Sequence, residues 1–328
     1  MARYREIYDD VENIASSIND PHEVAHFYGT VIRLVAHDFM DHDSTDSNDP
    51  MGSDGCVDWN AKPNAGLNSV WHEGSDLFEL WQNKYPDISW ADFWIMAANA
   101  IIFDTSEEDE SGGKLDLVDT FLWGRDDRSS CQLSDTRLPT TAGCQQVEGV
   151  FLERMGLTWR DAVALLGAHT LGQGHKMFSG HFGMWMPNVD EARIFNRQYY
   201  QELVSRSWSP RILSTNPFES DFTTSEIDDP NPKMMLNTDA CLVYDIEGGP
   251  CCTRTDLFKA NGESHCVTME DTQCPVYDAS NPRIEATNAV KEMLDGNDNA
   301  NFYEAFREAW FKATTNGHSS LKTIAESC

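Results

Sequence analysis

No stretch of 18 or more apolar residues occurs in the 328-residue chain, so no membrane-spanning helix is expected. Positive charge is scarce: 24 Lys and Arg face 54 Asp and Glu, leaving a net charge of −30. Such a surface repels a phosphate backbone and argues against nucleic acid as a partner. The acidity solvates the protein, or it draws in cationic substrates or Ca²⁺. Zinc-type cysteine spacing is absent, with no CxxC pair among nine cysteines. There is no internal repeat and no alternating pattern strong enough to build a sheet. The N-terminal Met1-Ala-Arg-Tyr-Arg-Glu6 does not read as a signal peptide.

What is present is mostly helical. At 40% hydrophobic and 11% aromatic, the chain can bury a large core, as one domain or two intimate lobes. Asp20-Pro21-His22-Glu23 supplies an N-cap, a proline at N1 and an acid at N3, opening a helix through Arg33 and His37. Ser89-Trp-Ala-Asp92 reads as a capping box before the apolar run 93–103, and Thr158-Trp-Arg-Asp161 as another before Ala162–Leu166. Residues 195–206 and 299–314 carry helical spacing, and 64–81 are expected to be helical too. Residues 41–63, 104–115, 207–235 and 245–283 read as loops. A mainly α class follows.

Five of the nine cysteines, Cys241, Cys251, Cys252, Cys266 and Cys274, crowd a polar, aperiodic segment. That points to disulfides and an oxidising compartment. Connectivity is open, and the odd count leaves a thiol free or paired with another chain.

Two histidine segments carry the chemistry. Arg33 and His37, four apart, share a helix face. They form an ordinary solvated face, or a general base beside a cation that can stabilise a leaving oxygen. His169 closes the apolar run Ala162–Leu166, where a polar ring is buried and needs partners. It is a satisfied core histidine, or a metal ligand backed by a carboxylate, with Asp239 the candidate.

These residues carry a resemblance. The stretches Arg33-Leu-Val-Ala-His37-Asp38, Asn64-Ala-Gly-Leu67, Ser89-Trp-Ala-Asp92, Gly124-Arg125, Arg137-Leu-Pro139, Gly167-Ala-His-Thr-Leu-Gly172, Leu236-Asn-Thr-Asp239 and Phe302-Tyr-Glu-Ala-Phe306 stand in one order at compatible spacing. Together they resemble the plant–fungal–bacterial haem peroxidase superfamily, from about residue 20 to 315. The resemblance implies a two-lobed fold around haem b. The distal lobe would span about 1–138 with C-terminal helices 285–328, and the proximal lobe about 139–284. It implies that Arg33 and His37 are the distal pair, that Asn64 holds the His37 tautomer, and that His169 is the iron ligand with Asp239 its partner. His175 matches a haem-propionate contact. Trp185 aligns with the proximal tryptophan of the ascorbate and cytochrome c peroxidases, the alternative being plain core packing.

Cation sites are suggested on the same grounds. Asp38, the Gly52 carbonyl and Asp54 resemble part of a distal Ca²⁺ loop, although Cys56 stands where relatives offer a serine. The alternative is a loop held by aspartate hydrogen bonds. Thr170 could begin a proximal cation site, but Met186 and Asn196 replace the expected oxygen donors, and that site is not expected. Other departures matter more. Position 36 is Ala, where the family places Trp or Phe beside the distal histidine, so a larger pocket is expected. The arginine that ascorbate peroxidases carry just after His175 is missing from Lys176-Met-Phe-Ser179, which puts ascorbate in doubt.

The resulting reading is a peroxidase that reduces H₂O₂ and oxidises an organic or protein reductant by one-electron steps. The alternatives are a non-catalytic haem-binding protein on this scaffold, or oxygen transfer through the space left by Ala36. Cysteine usage points to a secreted or other oxidising location, the proximal pocket to a cytoplasmic one. Reductant and oligomeric state are not legible.

Overall fold

The computed structural model describes residues 2–108, 113–131, 134–140, 143–224, 232–246, 277 and 281–324. Among them helices dominate: α1 Ala2–Ser17, α2 Pro21–Phe39, α3 Asp76–Lys84, α4 Trp90–Thr105, α5 Ser134–Arg137, α6 Cys144–Val147, α7 Trp159–Leu166, α8 Gln198–Ser205, α9 Asn237–Ala240, α10 Ile284–Leu294 and α11 Ala300–Thr315. No helix among the described residues is long and apolar enough to cross a membrane.

The caps form where the sequence places them. Asp20 accepts from the His22 amide at 2.8 Å, with Pro21 at the first turn of α2. Thr158 and Asp161 make a reciprocal capping box on α7. At α4 only half of the expected box forms. Ser89 caps the Asp92 amide, but the Asp92 carboxylate turns to Arg125 at 2.6 Å and to the Gly124 amide at 2.7 Å. Both partners of that ion pair are buried, and Arg125 also donates to the Thr314 carbonyl, tying α4 to the end of α11. Satisfying a buried charge outweighs closing a surface cap.

Two expectations are corrected. Residues 64–81 do not form one helix. Short 3₁₀ turns at Lys62–Asn64 and Leu67–Ser69 precede α3. Gly66 at φ +88° lies between the turns, a conformation that breaks a right-handed helix and that glycine adopts without strain. Residues 207–235 are not simply a loop. They hold a three-stranded antiparallel sheet in the order β2 (Ser209–Leu213), β3 (Asn216–Thr223), β4 (Met234–Met235). β2 shows no in–out alternation, because only Leu213 along it is buried and a bulge follows Ile212. The period that would announce the strand is therefore missing. A second pairing joins β1 (Leu122–Trp123) to β5 (Lys322–Thr323).

The core positions the two histidine segments. α7 packs against α10 and α11, and α2 against α4. After α7 the chain tightens into a 3₁₀ turn, Gly167–Thr170, which carries His169. This turn also packs on α2. Just beyond it, a Cβ on Gly172 would stand 2.8 Å from the Gly29 Cα of α2, so only glycines permit the approach. The helix bearing Arg33 and His37 and the turn bearing His169 are thereby in contact.

Among the described residues two disulfides cross-link the fold, Cys56–Cys131 and Cys144–Cys241, with Cα atoms 5.5 and 5.6 Å apart. Cys241, the first of the crowded cysteines, thus pairs outside its cluster. Cys251, Cys252, Cys266, Cys274 and Cys328 lie outside the described residues.

Candidate active site

His37 sits in the last turn of α2, and its Nδ1 is 2.7 Å from Asn64 Oδ1. The Asn64 amide nitrogen donates to the Asp58 carbonyl at 2.9 Å, which fixes the amide's orientation. Asn64 Oδ1 is then an acceptor, so His37 Nδ1 carries the proton and Nε2 keeps its lone pair. Arg33, one turn earlier, donates to the Ala65 carbonyl at 3.0 Å and to the Pro63 carbonyl. One short loop, 63–65, therefore orients both side chains.

Their electrostatics follow from position. Burial first, and the Arg33 charge second, push the His37 imidazole down to about 3, against a smaller opposite pull from Asn64. Burial brings the Arg33 guanidinium down to about 10, which still leaves it charged at neutral pH. Both side chains lie deep in the fold, yet Arg33, Ala36 and His37 keep accessible surface. The pair is a neutral base beside a fixed cation.

The second cluster converges on one carboxylate. Asp239, fully buried, receives His169 Nδ1 at 2.8 Å and the Tyr199 hydroxyl at 2.8 Å on Oδ1. Its Oδ2 receives the Trp185 indole N–H at 2.7 Å and the Leu236 amide at 2.8 Å. The Trp185 ring stacks on His169, centroids 4.3 Å apart and planes 16° apart. Burial alone would raise the Asp239 carboxyl, but His169, Trp185 and the Leu236 amide together hold it below the usual carboxylate range. A buried charge left unpaired would cost several kcal/mol; four donors on two oxygens remove that penalty. Because Asp239 is acceptor-only, His169 must donate through Nδ1. Its Nε2 has no hydrogen-bond partner among the described residues, and the ring keeps accessible surface.

The two clusters together suit a haem. An uncommitted imidazole nitrogen lies on one element and a base–cation pair on the element touching it. A further polar atom points the same way: His175 Nδ1 is buried without a partner. It lies beside His26 and Phe178, with ring centroids 5.8 and 4.6 Å away.

The aspartates expected for calcium are placed less simply. Asp38 Oδ1 accepts the Cys56 amide at 3.1 Å and Oδ2 the Gly55 amide at 3.2 Å. Cys56 itself is spent in its disulfide and offers no oxygen to a cation. The Gly52 amide donates to Asp41, a residue the sequence reading did not single out. Asp41 Oδ2, both Asp54 carboxylate oxygens and Ser53 Oγ are buried without hydrogen-bond partners, although Arg128 approaches Asp54 at 3.4 Å. Burial and the neighbouring aspartates raise Asp38 and Asp41, and burial raises Asp54 to about 7. No group of three or more His, Cys, Asp or Glu able to hold a metal ion occurs among the described residues. Thr170, by contrast, is committed: its hydroxyl lies 3.1 Å from the Ile194 carbonyl, 3.3 Å from Asn196 Oδ1 and 3.7 Å from the Met186 sulfur.

Comparison with known proteins decides the family. The peroxidase family model matches residues 9–255. The chain belongs to the peroxidase family. Within that family, a mitochondrial cytochrome c peroxidase of Emericella nidulans is 29% identical over 248 residues, 74% of this chain and 62% of its own length. Another, from Candida albicans, is 30% identical over 73% of this chain and 60% of its own length. L-ascorbate peroxidase 3 of Arabidopsis thaliana is 33% identical over 53% of this chain and 55% of its own. The matched stretch thus spans about three-fifths or less of each of these peroxidases. Tyr199 and Asp41 went unnoticed in the sequence for one reason: neither stands near its partner in the chain, or at a spacing that marks a motif.

Proposed function

We propose that this chain is a haem b-dependent peroxidase that reduces H₂O₂ and draws electrons singly from an organic or protein reductant. The observation that carries the reading is the buried Asp239 carboxylate, which takes the Nδ1 proton of His169 and leaves Nε2 for iron. Haem would lie between a distal lobe of about 1–138 with 285–328 and a proximal lobe of about 139–284, with His175 at its edge. When bound, it supplies the iron at which the peroxide bond breaks and where oxidising equivalents are stored. His37 Nε2 takes the proton of the incoming peroxide, and Asn64 keeps that nitrogen free. Arg33 stabilises the negative charge that develops on the departing oxygen. Trp185, stacked on His169 and bonded to Asp239, would relay electrons from the reductant. An absorption spectrum of the haem-loaded protein, before and after one equivalent of H₂O₂, tests the reading. An unchanged spectrum would favour a non-catalytic haem-binding protein.

Charge narrows the class of reductant without naming it. A net charge of −30 favours a cationic or neutral donor. Phe178 packs beside His175, and the arginine of the ascorbate-type pattern is absent from 176–179, so ascorbate is disfavoured. The two disulfides favour maturation in an oxidising compartment.

Ala36 supports a second reading, oxygen transfer. It keeps accessible surface next to His37 in the chain, and no aromatic ring stands at its position. A thioether is expected to yield some sulfoxide carrying oxygen from ¹⁸O-labelled peroxide. Ala36→Phe is expected to cut that yield and leave one-electron dye oxidation largely intact. If neither changes, the open-pocket reading fails.

The aspartate loop is proposed to take Ca²⁺ through no more than two carboxylates, with carbonyl and water oxygens completing the shell, since no three acidic side chains converge there among the described residues. The unpartnered oxygens of Asp41 and Asp54 are the observation behind it. Calcium at about a hundredfold excess over its Kd is expected to add about 2.7 kcal/mol of stability. Thermal melts in calcium and in chelator measure this. Asp54→Asn should abolish the increment without lowering the melting temperature in chelator. Identical melts of the wild type in both buffers would leave the loop with hydrogen bonds alone.

A further inference from the structure

The Tyr199 hydroxyl has no part in the chemistry described so far. It comes from α8, 40 residues from Asp239 in sequence, and the side chain is fully buried. Its ring stands edge-on to His169, centroids 6.0 Å apart and planes at 74°, so it packs on the imidazole as well. What distinguishes it from the other donors is the oxygen it chooses. Trp185 and the Leu236 amide share Oδ2, whereas Tyr199 and His169 share Oδ1, each at 2.8 Å. Two donors on one oxygen compete for its electron density. Each weakens the pull that the oxygen exerts on the other's proton. The neighbouring Tyr200 makes a built-in control: it is equally buried, but its hydroxyl goes to the Val163 carbonyl at 2.9 Å and never touches Asp239.

We infer that Tyr199 is a positioning residue that sets how strongly Asp239 draws on the His169 proton, and thereby the reduction potential of the iron that His169 would hold. The inference rests on His169 being the iron ligand. With the hydroxyl in place, Oδ1 pulls less on His169 Nδ1–H, and the imidazole stays closer to neutral. Without it, the proton shifts toward Asp239, the ring becomes more anionic, and ferric iron is favoured over ferrous.

The test is Tyr199→Phe in the haem-loaded protein, which removes one oxygen atom and keeps the ring. The ferric/ferrous equilibrium at a fixed potential is expected to move about tenfold toward ferric, a fall of about 59 mV for one electron. The iron–histidine stretch of the ferrous protein, read by resonance Raman, should rise. Tyr200→Phe should move neither. A Tyr199→Phe protein with bound haem and unchanged potential and stretch would overturn the inference, as would an equal shift in Tyr200→Phe. The double variant with Asp239→Asn covers poor folding of the single one, since it removes the carboxylate charge together with the hydroxyl. Losing the hydroxyl must shift its potential less, relative to Asp239→Asn alone, than Tyr199→Phe shifts that of the wild type; an equal shift would show that the effect bypasses the carboxylate. Failure of the ligand assignment is separately visible, because His169→Ala would then leave the haem spectrum unaltered.

Discussion

His37→Leu is expected to slow the reaction with H₂O₂ by at least about 10²–10⁴-fold, the usual contribution of acid–base catalysis. Leucine keeps the bulk of the side chain in α2 but cannot take a proton, and it abandons the Asn64 contact that sets the working tautomer. Arg33 remains charged and tied to the 63–65 loop, so the loss belongs to the base. Stopped-flow mixing with peroxide reads the bimolecular rate directly. The same experiment carries a pH signature. An ordinary histidine gains its proton near pH 6.5 and ceases to be a base below it. Burial and Arg33 hold His37 at about 3, so the wild-type rate should stay flat as pH falls through 6.5 and drop only in strong acid. A leucine variant within a few-fold of wild type, or a wild-type rate that halves near pH 6.5, would assign the base elsewhere.

His169→Ala is expected to lose tight haem binding, or to keep haem only when free imidazole is supplied. The variant removes the imidazole that Asp239 orients, and it opens a cavity beneath the stacked Trp185 ring. It also strips one donor from a fully buried carboxylate, so some loss of stability should accompany the loss of ligand. Haem titration followed by absorbance separates the two effects, because added imidazole restores the ligand without rebuilding the chain. Unchanged haem affinity and spectrum in this variant would remove His169 from the iron.

The parts of this protein that were legible in the sequence are those written within a few residues. Asp20 with Pro21, and Thr158 with Asp161, mark helix starts because a capping side chain bonds amides two or three positions away. Arg33 and His37 share a face because an α-helix turns every 3.6 residues. The mainly α class, the helix carrying the base–cation pair and the apolar helix leading to His169 follow from such local rules. The tertiary structure decided what depends on distant partners. Asp92 left its own helix cap for Arg125, and the sheet at 209–235 formed around β2, a strand without alternation. Cys241 crossed to Cys144, 97 residues away. Asp239 gathered His169, Trp185 and Tyr199 from three other segments. None of these pairings has a local spacing. They exist because a buried charge, thiol or backbone group must find whatever partner the packed core brings within reach, and only the folded chain says which one that is.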